Sequence, residues 1–141
     1  MKKRVSIILI IGLFLSTVIL SGLWLYARND KSEILLLAQA GVTDAYTQFT
    51  EYQNTGEESC YWYGVSAFRS FEQAYYLLVQ GTNDTTHYTF CNEVYGDLVL
   101  NPTRSQTHIA DIIAVLQILS DDVEDENGYL RMSDLRNSIQ E

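Results

Sequence analysis

The chain has 141 residues, with nine basic and 18 acidic side chains and a net charge of −9. Beyond Lys31 the imbalance deepens: four arginines stand against 17 carboxylates, a net −13 that repels phosphates and makes nucleic acid a poor partner. A single proline, Pro102, and the lack of any long alternating apolar–polar run argue against a sheet and for an all-α fold with short polar turns.

The N-terminal stretch holds 23 residues, Val5 to Ala27, without a charge. As a helix it would extend roughly 34 Å, enough to cross a hydrocarbon core of about 30 Å. Cleavage after Gly22 or Ala27 would place Leu20 or Leu25 at the −3 position, where a small side chain is needed. The expectation is therefore a retained transmembrane signal-anchor over residues 5–27. Trp24 and Tyr26 sit at its distal edge, where amphipathic rings favour the interface. Lys2, Lys3 and Arg4 precede the run, so residues 1–4 are expected in the cytoplasm and residues 28–141 outside, as one acidic helical domain on a bacterial-type anchor.

That domain reads as a bundle of about four helices. Ile34, Ala38, Gly41, Ala45, Phe49 and Tyr52 recur at three- and four-residue spacing and mark the first. The polar "NTGEES" is a turn, after which Gly64, Phe68, Phe71, Tyr75 and Leu78 repeat the period through a second helix. "DTTHYTF" is rich in β-branched and aromatic residues, so a helix is expected only from about Tyr88, through Cys91, Tyr95 and Leu98.

Cys60 and Cys91 bear on this segment. Two cysteines in an exported domain lead us to expect a disulfide. A tight hairpin between the second and third helices would keep the two far apart, so the bond requires residues 83–90 to run extended, back along the second helix.

Ile109, Ile112, Leu116 and Leu119 define the clearest helix, beginning after "NPT" and running through "RSQTHIADIIAVLQILSDD". A last short helix, around "MSDLRNSIQ", is expected to start at a Ser133 cap. Between them lies "ILSDDVEDENGYLRMSDL". With Gly128 at the sharp-turn sixth position, Asp125 falls third, Asn127 fifth and Asp134 twelfth, a spacing that resembles an EF-hand over about a tenth of the chain. The resemblance implies calcium held by Asp125, Asn127 and Asp134. Val123 stands where the first aspartate belongs, and Asp134 where the longer bidentate glutamate belongs, so the strongest ligands are missing. A solvated acidic loop ended by Asn-Gly is the reading preferred over a cation site, and no other cofactor is implied.

Catalytic constellations are poor. "GVSAF" (Gly64 to Phe68) lacks the closing glycine of a nucleophile elbow and lies in a helical period. His108 and Asp111 are one helical turn apart, yet the only other histidine is His87. No enzyme is expected. The remaining signal is aromatic: Tyr61, Trp62, Tyr63, Tyr75 and Tyr76 fill a core or, where they emerge, offer a face for a protein partner or a small ligand. The sequence points first to an anchored domain that binds another protein at the membrane surface, and second to a small-ligand or cation-binding domain.

Overall fold

Helices account for all the regular structure in the computed structural model of the chain, which describes residues 30–80, 82 and 84–140. Six occur among those residues, and no strand does: α1 over 30–55, α2 (Glu58–Val79), α3 (Thr86–Leu100), α4 (Pro102–Thr107), α5 (Ile109–Asp121) and α6 (Glu126–Gln140). Residues Ile34–Glu141 form one compact unit, distinct from Met1–Glu33. The expected anchor, residues 5–27, lies outside the described residues. Among the described ones no helix is long and apolar enough to cross a membrane.

Each boundary has a local cause. α1 stops at Gly56, whose φ of 73° needs a residue without a Cβ and whose N–H donates to Tyr52 O at 2.8 Å. α3 starts where the Asp84 carboxylate accepts the Thr86 N–H at 3.0 Å. Those bonds hold the Asp84 carboxyl below its ordinary range. Pro102 occupies the first turn of α4, where its missing N–H costs nothing.

The α1 and α2 faces read from the sequence are buried at their centres, with Ala38, Ala45 and Phe49 of α1 and Phe68 and Phe71 of α2 in one core, while Ile34, Tyr52 and Leu78 at their ends are half-buried. A Cβ at Gly41 would lie 2.7 Å from the Phe71 nitrogen, and one at Gly64 would lie 2.8 Å from the Phe49 ring. The two helices thus cross with a glycine on each side of the contact. α3 packs on α2 and α6, α5 on α6, and α4 bridges α3 and α5.

Four expectations are corrected. Cys60 and Cys91 are free thiols, both buried, and no disulfide joins them. Residues from Thr86 onward are helical, so α2 and α3 do form the simple hairpin. Cys60 then lies near one end of α2 while Cys91 sits about 8 Å along α3 from the turn, which separates them by roughly 20 Å of helix rise. The helix expected through "RSQTHIADIIAVLQILSDD" is broken at His108 into α4 and α5. The last helix begins at Glu126, not at Ser133. Its cap is Asp125, whose Oδ1 accepts from Asn127 N at 2.7 Å and Gly128 N at 3.1 Å.

Candidate functional site

The aromatic set divides by helical angle. Tyr61 is fully buried, with its rings against Phe49 and Tyr52 and its hydroxyl donating to Leu98 O at 2.9 Å. Burial pushes its phenol up to about 12. Tyr75 is buried as well, its ring tilted against Tyr129, which stacks on His87, and its hydroxyl meets His87 Nδ1 at 3.3 Å. Trp62, Tyr63 and Tyr76 instead reach solvent, at 46 %, 64 % and 45 % exposure. Burial of rings in a core asks nothing of function. Three large rings left outside on one helix do.

Past the exposed Glu58 of its first turn, α2 carries little charge. From Ser59 to Gln80 the only ionisable carboxylate or guanidinium groups are Glu72 and Arg69. Glu72 is buried and joined to Arg69 Nη1 at 2.5 Å, and the guanidinium lies over the Tyr95 ring, 4.7 Å from its centroid. This pair fixes α2 on α3. Tyr88 shares the site: its phenol is raised by burial and by its hydrogen bond to Glu72. Burial, and then the Glu72 charge, raise the Cys91 thiol too. An open cleft of about 350 Å³ lies above the pair, walled by Gln73, Tyr76, Leu77 and Tyr88.

The acidic stretch is built differently from a calcium loop. Asp125 spends its carboxylate on the α6 N-terminus, Asn127 lies in the first turn, and Asp134 is about 10 Å further along the helix axis. Gly128, placed at the sharp turn by the EF-hand spacing, is buried inside α6. A Cβ there would come within 2.4 Å of Leu119 Cδ2. Asp134 instead lines a groove of about 340 Å³ between α5 and α6, together with Asp111 and Arg131. His108 Nδ1 stands 3.4 Å from Asp111 Oδ2 at the start of α5. Among the described residues no group of three His, Cys, Asp or Glu side chains is placed to hold a metal ion.

Sequence reasoning missed Glu72 and Arg69. Their three-residue spacing was the available signal, since a lone carboxylate within an apolar helical period must find a partner one turn away. No protein-family model, curated protein or solved structure matches this chain.

Proposed function

We propose that the chain is a single-pass, membrane-anchored protein whose extracytoplasmic helical domain binds a protein partner through the outer face of α2. The observation that carries this is the exposure of Trp62 and Tyr63 on α2, where the one carboxylate beyond the first-turn Glu58 is Glu72, already paired with Arg69, in a domain of net acidic charge. Tyr and Trp are the residues that interface centres favour, because they bring large area at little entropic cost. The anchor reading adds the location, with the N-terminus in the cytoplasm and the domain outside. No catalytic role is assigned to any residue.

A photoactivatable phenylalanine at position 63, in the full chain in its native membrane, tests the reading. Adducts are expected at position 63 and not at Asn137, an exposed position on α6. Equal labelling at both, or none at either, would end it. A second reading is favoured by the cleft above Glu72 and Arg69, whose volume suits a small organic ligand. Loss of binding in a Tyr76→Ala or Tyr88→Ala variant, with Tyr63→Ala unaffected, would select that reading.

A further inference from the structure

We infer that Leu36 and Leu37, on the outer side of the first turns of α1, seat on the lipid surface of the bilayer. The inference rests on the reading of residues 5–27 as a retained anchor and adds where the domain touches the membrane.

Exposure is the first observation. Leu36 and Leu37 are 69 % and 63 % exposed, and Ile34 and Leu35 beside them are only half-buried, so four apolar residues in succession reach solvent. Scattered leucines on a surface ask for no explanation, but such a run does. The core has no use for these two, because Ala38 and Val42 bury the other side of α1 completely.

Reach is the second, and it names the occupant. The uncharged run ends at Ala27, and α1 starts at residue 30. The chain from 27 to 30 extends at most about 11 Å. Leu36 and Leu37 lie about 9–11 Å further along the helix axis. Whichever way the chain turns between them, both leucines stay within roughly 22 Å of the anchor's outer end, and the headgroup layer fills about 5–8 Å of that distance. A protein partner has to be recruited to this patch. The bilayer is always within reach, and the tether replaces the affinity that two leucines lack alone.

Charge is the third. No residue from Ile34 to Thr43 is charged, and just before them Arg28 and Lys31 balance Asp30 and Glu33, in a chain that carries a net −13 beyond Lys31. Gln39, which holds the end of α5, leaves α1 on the side opposite Leu37, so Asp121 and Asp122 are kept off the patch. Glu33, one turn before Leu37, and Asp44, two turns after it, are exposed on the same side and bracket the leucines. They limit the contact to the headgroup layer and the upper acyl chains, and they keep the rest of α1 in water.

A photoactivatable phenylalanine placed singly at positions 17, 36 and 100 of the full chain, in phosphatidylcholine nanodiscs, tests the contact. Leu100 is the control, being 78 % exposed at the other end of the domain. Its neighbour Leu98 accepts from Tyr61, whose ring meets Tyr52, about 24 Å along α1 from Leu36. Lipid adducts are expected from positions 17 and 36 and not from 100. Leu37→Glu should lower the yield at position 36 several-fold at an unchanged melting temperature, since Leu37 is exposed. A yield that this substitution leaves intact would show that the tether alone brings lipid to the probe, and would overturn the contact. Equal yields from 36 and 100, or a protein adduct from 36 in native membranes, would overturn it as well. Adducts from position 17 alone would overturn the contact and keep the anchor, whereas none from position 17 would overturn the anchor on which it rests.

Discussion

Gln39 and Val123 are 84 residues apart in the chain and joined by a hydrogen bond, the Val123 N–H donating to Gln39 Oε1 at 3.2 Å. The same side chain donates through Nε2 to the Leu119 carbonyl at 3.3 Å and to the Ser120 carbonyl. One amide of α1 therefore closes the C-terminal end of α5, satisfying carbonyls that a helix end leaves open.

The first prediction follows from that arrangement. Gln39→Leu removes these bonds and should cost about 1–2 kcal/mol. Gln39→Glu should cost at least as much, because its carboxylate would face two carbonyls at the negative end of α5. Urea unfolding of both variants checks this, and a Glu variant as stable as the parent would contradict it.

Glycine substitutions should separate by what a Cβ meets. Gly41→Ala pushes against the Phe71 backbone, which cannot rotate away, and should destabilise by about 2 kcal/mol even after the gain in helix propensity. Gly96→Ala lies in α3 with nothing within 4 Å of the added carbon, and should stabilise by about 0.5–1 kcal/mol. Thermal melts of the pair should therefore move in opposite directions.

The buried thiols predict indifference to redox conditions. Adding reductant should leave the melting temperature unchanged, and unreduced protein in denaturant should titrate two thiols. Cys91 is fully buried and its thiolate is disfavoured, so alkylation of the native protein should proceed slowly and follow transient opening. Finding fewer than two thiols would restore the disulfide.

At Asp125 a cap and a calcium ligand make different demands. Asp125→Ala should cost about 1 kcal/mol, whereas Asp125→Asn keeps an oxygen for Asn127 N and Gly128 N and should cost little. Millimolar calcium should leave the melting temperature of the parent unmoved. A rise that disappears in Asp125→Asn would establish the ion site instead.

The helical period made α1, α2 and α5 legible, because Ala38, Phe49, Phe71 and Leu116 bury the same side of each helix that the spacing marks. The boundaries between helices depended on partners far away in sequence, which periodicity does not carry. Asn127 and Gly128 look like a turn, yet Gly128 sits inside α6 because only a residue without a Cβ fits against Leu119. Thr85 to Thr89 look extended by propensity, but Asp84 supplies a cap and tertiary packing of Cys91 and Val94 outweighs the β-branched residues. At position 108 the chain turns where α4 docks through buried Ser105, whose hydroxyl donates to Asp97 O at 3.1 Å. For the aromatic set, spacing separated inward Tyr61 and Tyr75 from outward Tyr63 only once the direction of the core was known.

The partners of Gln39 also set a schedule for synthesis. At about 5–20 residues per second, the ribosome needs roughly 4–17 s after adding Gln39 to supply Val123. Throughout that interval α1 and α2 can form their hairpin, with glycines and phenylalanines already matched, but the part of α1 around Gln39 that receives the end of α5 has nothing to cover it. The nascent hairpin is thus the stage at which the chain is most open to capture by a holding factor or by another unfinished copy. Substitutions that slow the arrival or docking of α5 would act on yield before they act on the melting temperature of the finished fold.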